Sequence, residues 1–400
     1  MTRLADRLVL VLNAGSSSLK FAVFRANAER RDPVWRGQVE GIGATPRLAA
    51  GEDAPVDVDC RTHAEALSAI LAWAAARGLS LASLDGVGHR VVHGGARHGA
   101  PLAVEADSLA ALEELANLAP LHNGFGLAAI RAIQSMAPRL PQVACFDTAF
   151  HATQPDVAAR FALPPPFHEE GYRRYGFHGL NYEHVVDELP RLSGKPLPSR
   201  LLVFHLGNGS SICAIVDARA VATTMGYSTL DGLTMGTRCG SIDPGLLIAL
   251  MRDKHMGVEA LETLLYKRAG LLGLSGVTND MRALLASPDP ACARAVEHYC
   301  YWAARHAASL LAASGGLDAV VFTGGIGANS GAVRAGIVRH LAWLGLELDA
   351  SANAANAVRL SPDTGGKEIW IVPADEETAI ARHTLAALAR RGGTAVSSRG

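Results

Sequence analysis

Apolar and polar positions along the chain follow two rhythms. Short runs of β-branched and large apolar residues, Leu8–Leu12, Phe21–Phe24, Gly86–Val92, Val143–Phe146, Leu201–Leu206, Ala319–Phe322 and the IWIV run at 369–372, read as buried strands. Pro33–Glu40 reads as a further strand, and 43–59 as loop or edge strand. Helical spacing marks Ala64–Arg77, where Ala66, Ile70 and Trp73 share a face and Gly78 stops the run. It marks Ser108–Leu118, Phe125–Met136, Asn181–Leu189, Pro244–Met251, Val258–Ala269, Asp280–Leu285 and Ala291–Ala313 as well. A last helix follows Pro373 with Asp375, Glu376 and Glu377 in its first turn. Segments 155–168 and 190–198 are broken by prolines and read as surface or hinge. Strands interleaved with helices predict an α/β protein.

Two of the strand runs enclose a polar turn. Val9 to Phe24 reads VLVLNAGSSSLKFAVF, a hairpin whose tip suits an anion. Gly15 lets the backbone approach, Ser16, Ser17 and Ser18 offer donors, and Lys20 adds a positive charge. Asn13, at the strand end, is suited to orient a water on a bound metal. No Walker loop occurs, so the hairpin alone is equally a serine-rich surface turn. A second copy, LLVFHLGNGSSICAIVD at Leu201–Asp217, changes that reading. The chain looks like two similar halves, each opening on a strand, a polar turn and a strand, with a nucleotide held between two related domains.

Length and composition set limits. Four hundred residues suffice for two domains, and 49% hydrophobic residues with a net charge of -1 describe an ordinary globular chain. Neither sign dominates, so nothing points to nucleic acid or a membrane surface. No run approaches a membrane span and the N-terminus lacks a leader pattern, so a cytoplasmic protein is expected. The six cysteines (60, 145, 213, 239, 292, 300) form no C-x-x-C pair and are expected as reduced thiols.

Candidate chemistry collects in the turns. HRVVHGG (89–95) places two histidines and an arginine beside paired glycines, and Asp147 ends a buried strand, a position that points toward ligand in α/β folds. Thr223–Gly240 is a long glycine-rich loop whose one basic residue is Arg238, and long ordered loops are usually functional. TGGIGANS, at Thr323–Ser330, is a glycine-rich strand-to-helix turn suited to an adenosine and its phosphate. Arg90, Arg238, His178, His205, Asp147, Glu376, Asn13 and Lys20 form the reactive set. Cations and acids without a Ser or Cys nucleophile fit phosphoryl transfer, which needs positioning and charge neutralisation.

NAGSSSLKF, GHRVVHGG, APLHN, FDTAFH, RRYGFHG, HLGNGSS, MGTR-x-G-x-IDP, FTGGIGANS and DEETAIAR, in this order, resemble the acetate kinase family across essentially the whole chain. The resemblance implies two duplicated ribonuclease-H-like domains of the actin, sugar-kinase and heat-shock ATPase superfamily with a cleft between them. The expected boundaries are 1–150 plus about 384–400, and 151–383. It implies reversible phosphoryl transfer from ATP to acetate, giving acetyl phosphate and ADP, with magnesium (or manganese) as cofactor and a homodimer as the assembly.

Carried over by motif, Asn13 and Glu376 are the metal residues, Lys20 and Ser16 lie in the phosphate turn, and Arg90 binds the substrate carboxylate. Asp147 holds the acid/base position, while His178 and Arg238 stabilise the transition state. His205, Leu206, Gly207, Asn208 and Gly209 contact phosphates. Asp280, Met281 and Arg282, with Gly325, Ile326, Gly327, Ala328 and Asn329, hold the nucleoside. Val92, Leu121 and Phe177 form the methyl pocket. An acetate carboxyl is already ionised at neutral pH, so Asp147 is expected to orient Arg90 or a metal-bound water and not to take a proton.

The chain departs from the family pattern at four places. Ala328 stands for Glu in GGIGEN, Asp375 for Asn in NEE, Thr229 for Pro in MGYS-x-LDG, and FHGLNY for FHGTSH. Propionate and butyrate kinases are the near alternatives. An ATP-driven clamp without acyl-phosphate chemistry is the distant one, and it has no need for Arg90, His178 and Arg238 together.

Overall fold

The first apolar runs form β1 (Leu8–Ala14) and β2 (Ser18–Arg25), antiparallel, with Asn13 opposite Lys20. Around them lie β3 (Trp35–Glu40), β4 (Arg47–Ala50), β5 (Val56–Asp57), β6 (Gly86–Val91), β7 (Leu102–Ala103) and β8 (Gln142–Phe146), in the order β5-β4-β3-β2-β1-β6-β8-β7. β6 runs parallel to both β1 and β8. β1 is unbroken LVLVL because both its faces are covered. Leu10 and Leu12 pack against helices His63–Ala75 and Asn123–Met136 through Leu67, Ile70 and Ile133. The other face takes helix Glu376–Ser397, to which Gly88 is packed so closely that a Cβ would lie 2.6 Å from Ile380.

The structure, a computed structural model, describes residues 7–25, 32–114, 123–363 and 365–397. The chain divides into two units, Met1–Ala149 with Asp375–Gly400, and Phe150–Ala374. The return was expected near 384 and falls instead between Ala374 and Asp375. The reason is packing: Ile380, Thr384 and Leu388 stand against Gly88 and Gly86 of β6, so the whole helix belongs to the first unit.

The second unit repeats the plan. β9 (Arg200–Leu206), β10 (Ser210–Val216), β11 (Arg219–Thr223), β12 (Ala319–Thr323) and β13 (Glu368–Ile371) lie in the order β11-β10-β9-β12-β13. β10 is antiparallel to β9 and β11, while β12 is parallel to β9 and β13. This is the order and polarity of β3-β2-β1-β6-β8, the ribonuclease-H-like arrangement. One face of this sheet carries helix Pro290–Ser314 and the other helix Gly179–Ser193. The long helix starts at Asp289, which accepts from Ala291 N, with Pro290 in its first turn, and stops at Gly315 with φ +65°.

Helix Gly179–Ser193 runs through Pro190, where a break was expected. Pro190 lies in the last turn, so only one backbone hydrogen bond is forgone before Gly194 ends the helix at φ 65°. The six cysteines form no disulfide. Among the described residues no helix is long and apolar enough to cross a membrane.

The close fit at Gly88 gives a test. Gly88→Ala drives a methyl to 2.2 Å from Thr384 Oγ1 and should destabilise the protein by about 1–3 kcal/mol in urea unfolding. Gly124→Ala, with no atom within 4 Å on helix Asn123–Met136, should be neutral or stabilising by up to about 1 kcal/mol. Equal midpoints for the two variants would contradict the packing described.

Candidate active site

In the first unit, strand register brings the predicted residues together. Val11 pairs with Gly88 and Arg90 with Cys145, so Asn13, Arg90 and Asp147 reach the carboxyl ends of β1, β6 and β8 on one face. Arg90 donates from Nε to Asp147 Oδ1 at 2.9 Å and from Nη2 to Oδ2 at 2.5 Å. Its Nη1 donates to Asn13 Oδ1 at 3.3 Å, and Nε lies 3.5 Å from Glu376 Oε2. Asn13 Nδ2 in turn donates to Glu376 Oε2 at 2.9 Å and Glu377 Oε1 at 2.8 Å.

Burial opposes the Arg90 charge, but Asp147, Glu376 and Glu377 outweigh it and hold the guanidinium protonated. Burial also raises the Asp147 carboxyl, to about 6, against the pull of Arg90. The two-pronged contact with the guanidinium leaves it ionised at neutral pH. Glu377 is raised by burial and by Glu376, while Lys20 and Asn13 oppose the shift. Three carboxylates thus surround one buried guanidinium.

Ser16 and Ser17 are exposed at the β1–β2 turn, and Lys20 is exposed on β2. His63 Nε2 bonds the Gly15 carbonyl at 2.7 Å and fixes the turn to helix His63–Ala75. Val92 is buried at the end of β6. Leu121 lies outside the described residues. The two histidines flanking Arg90 are structural: His89 Nε2 donates to Gln142 Oε1 at 2.7 Å, and His93 Nδ1 accepts from Gly95 N at 2.8 Å.

In the second unit His178 precedes helix Gly179–Ser193 in the left-handed region, φ 59°. That conformation turns its ring onto His205 of β9, centroids 4.0 Å apart and planes 11° apart. His178 Nδ1 bonds Ser211 Oγ at 2.8 Å, and Tyr182 Oη reaches the same oxygen at 2.5 Å. Asn181 Nδ2 donates to His205 Nδ1 at 2.9 Å and to Thr323 Oγ1 at 3.2 Å. The β9–β10 turn has His178 and Arg238 on one side of it. A Cβ on Gly209 would lie 3.4 Å from His178 Nε2 and 3.6 Å from Arg238 Nη2. Arg238 Nη1 donates to the Thr229 carbonyl at 2.9 Å, so the position that departs from the family pattern anchors the arginine through its backbone. Phe177 is buried, and its carbonyl accepts from His151 Nε2 at 2.9 Å.

The glycine turns also converge. Gly324, φ +78°, lies under the Leu206 carbonyl at a distance that admits no Cβ. Gly236 faces the Asn208 side chain just as closely, and Asn279 Nδ2 donates to Asn208 Oδ1 at 3.2 Å. Gly207 N donates to Ser210 Oγ at 3.2 Å. Gly325–Asn329 lie in the short helix Gly324–Asn329, where Asn329 Nδ2 donates back to Gly325 O and no atom comes within 4 Å of a Cβ on Gly325. Ile326 and Ala328 pack against the core.

Asp280 caps the helix Met281–Ala286 by accepting from Arg282 N, and pairs with the exposed Arg282 side chain at 3.2 Å. The Met281 side chain is buried in the core.

Sequence reasoning missed Arg334. It is fully buried, donates to the Gly327 and Ala328 carbonyls at 2.8 and 3.0 Å, and clamps them to Asn353 and Asn356. An arginine inside a helix gives no sign of that role. Glu377, Ser211, Tyr182 and Asn181 were also missed, being buried partners of residues that were found.

Two sheets of one topology, each with charged or glycine-rich turns at its strand ends, define an α/β protein of two related units. The acetokinase family model matches residues 8–382. An acetate kinase of Methylocella silvestris is 44% identical over 398 residues, 96% of this chain and 98% of that protein. One of Rhodopseudomonas palustris is 44% identical over 387 residues, 94% and 97% of the two chains. Among solved structures, a propionate kinase from Francisella tularensis superposes with TM-score 0.88 at 34% identity, covering 94% of this chain and 99% of that one. The acetate kinase of Porphyromonas gingivalis gives 0.85 at 33%, covering 96% and 100%. The chain belongs to the acetokinase family, whose members are phosphotransferases with a carboxyl acceptor.

The His151 contact behind Phe177 has a measurable consequence. Burial lowers the His151 imidazole from 6.5 to about 4, against the hydrogen bond to Phe177. A depressed histidine stabilises the fold fully above pH 6.5 and loses that contribution as pH falls toward 4, because the unfolded chain binds the extra proton. His151→Gln should remove on the order of 2–3 kcal/mol of the stability lost between those limits. Parallel wild-type and variant curves of unfolding free energy against pH would contradict it.

Proposed function

We propose that the chain transfers the γ-phosphoryl group of ATP to acetate, reversibly, giving acetyl phosphate and ADP. The observation that carries the reading is Arg90, partly buried and aligned at the ends of β1, β6 and β8 by Asp147, Asn13 and Glu376. A fixed guanidinium fork is the natural receptor for a carboxylate. Val92 and Phe177, with Leu121, supply the apolar wall for the methyl group.

Acetate is ionised at working pH and attacks phosphorus without a base, so Asp147 serves to hold Arg90. Arg238 and the His178 ring donate to the phosphoryl oxygens as charge builds there. The backbone of Gly207–Gly209 cradles the phosphates, with Lys20 and Ser16 in the other phosphate turn. The Gly325–Asn329 turn and the Asp280–Arg282 segment take the nucleoside.

Asn13 and Glu376 fit a magnesium ion. Mg²⁺ keeps most of its waters and takes one or two carboxylates plus substrate phosphates, not an all-protein cage. The excess of carboxylate around Arg90 supplies the negative charge such an ion needs. When bound, magnesium would neutralise the β- and γ-phosphates.

Propionate is the second acceptor. The likeness to a propionate kinase and the Thr229 substitution beside Arg238 both favour a wall that admits one more methylene. The enzyme is proposed to work in the cytoplasm as a homodimer, whose interface would cover Leu246, Ile248, Met251 and Val258, exposed on helices Pro244–Asp253 and Val258–Lys267.

Trapping acyl phosphate with hydroxylamine, in the presence of ATP, magnesium and a panel of short carboxylates, tests the proposal. Acetate should give the highest kcat/KM, with propionate within about 200-fold, the range one methylene can command. ATP hydrolysis without hydroxamate would exclude the reading. Arg90→Lys and Arg238→Lys should each lower kcat by about 100-fold or more, since a point charge does not replace the fork. Near-normal turnover in either removes that arginine from the site.

A further inference from the structure

We infer that Tyr182 and Ser211 set the tautomer of His178, so that its ring is neutral and carries its proton on Nε2, the nitrogen that faces the Gly209 turn. The inference builds on the reading of His178 as a donor to the phosphoryl group.

The argument is a proton count. Ser211 Oγ owns one proton and stands between Tyr182 Oη and His178 Nδ1. Tyr182 and Ser211 are fully buried, and burial keeps the phenol protonated. If Tyr182 donates to Ser211, Ser211 in turn donates its hydrogen bond to Nδ1, which accepts, and all three groups are satisfied. In the reverse order the phenol proton is stranded in the core. With an imidazolium, Nδ1 also donates, and one hydroxyl proton is stranded. Buried unsatisfied donors are disfavoured, so the first arrangement wins.

Two neighbours act in the same direction. Asn181 Nδ2 donates to His205 Nδ1, which leaves the His205 proton on Nε2, and two charged rings stacked at 4.0 Å would repel. The Arg238 guanidinium stands on the same side of Gly209. His205, Arg238 and, through Ser211, Tyr182 are among the titratable and charged groups that face His178. His151 stacks edge-on to Tyr182, with Cys213 beside it. Asn181 and Tyr182 are two of the residues by which FHGLNY departs from the family's FHGTSH, so this way of fixing the two rings belongs to this chain's own sequence.

Tyr182→Phe removes one oxygen and lets Ser211 accept from Nδ1–H without stranding the phenol proton. The test is ¹⁵N NMR of histidine-labelled full-length protein, with His178→Ala assigning the signal, beside kcat against pH for all three proteins. Wild type should show His178 as the Nε2–H tautomer at neutral pH. Tyr182→Phe should show a mixture and a protonation midpoint higher by about half a pH unit or more. Its kcat should fall about three- to tenfold above that midpoint, with KM for acetate and ATP nearly unchanged. The deficit should close at lower pH, where the imidazolium supplies the Nε2–H regardless. Identical tautomer, midpoint and pH profile in wild type and Tyr182→Phe would overturn the inference. Near-normal turnover of His178→Ala would instead overturn the catalytic reading of His178, while the NMR still reports on the tautomer.

Discussion

A buried guanidinium is unstable without carboxylates, and the first unit is built around satisfying one. Arg90 takes both oxygens of Asp147, one oxygen of Asn13 and the near oxygen of Glu376. Those partners come from the ends of two strands, β1 and β8, and from a helix far along the chain. Removing Asp147 takes away the two-pronged partner and leaves the guanidinium only its longer contacts to Asn13 and Glu376. That dependence ties helix Glu376–Ser397 to β1, β6 and β8, and it explains why the chain crosses back to its first unit just before Glu376. The same constraint makes Arg90 a stiff receptor, because its reorganisation is completed on folding.

The second unit uses the same topology with different chemistry. Where β1, β6 and β8 end in a carboxylate-bound arginine, β9 and β12 end in a stacked histidine pair, a glycine turn and a glycine-led helix. Parallel neighbours bring strand ends to one edge in both sheets, so one fold repeated twice offers two sets of functional groups. Charge is treated oppositely in the two. Acids accumulate around Arg90, whereas neutral oxygens and carbonyls hold Arg238, His178 and the buried Arg334.

The sequence was most legible where function needs a turn between strands. Both hairpins, the Asp147 strand end and the glycine-rich turn at Thr323–Ser330 were readable, since close backbone approach demands glycine and anions demand donors. The acids after Pro373 were readable as a helix start. Their attachment to Arg90 was not, because it depends on tertiary register across the chain. Arg334, Ser211 and Tyr182 escaped for the same reason: each acts on a residue distant in sequence. Pro190 misled because a helix tolerates proline in its last turn when a glycine closes it. The helix implied by the strand-to-helix turn is found as Gly331–Leu341, after the short helix Gly324–Asn329.

The account holds that Asp147 positions Arg90 and moves no proton. The direct measurement is the solvent deuterium isotope effect on kcat/KM for acetate, taken above pH 7 where Asp147 is ionised, in wild type and Asp147→Asn. An orienting carboxylate predicts the same isotope effect in both proteins, although the variant is slower. A normal isotope effect in wild type that vanishes in Asp147→Asn would contradict the account, because it would show that the carboxylate moves a proton in the reaction.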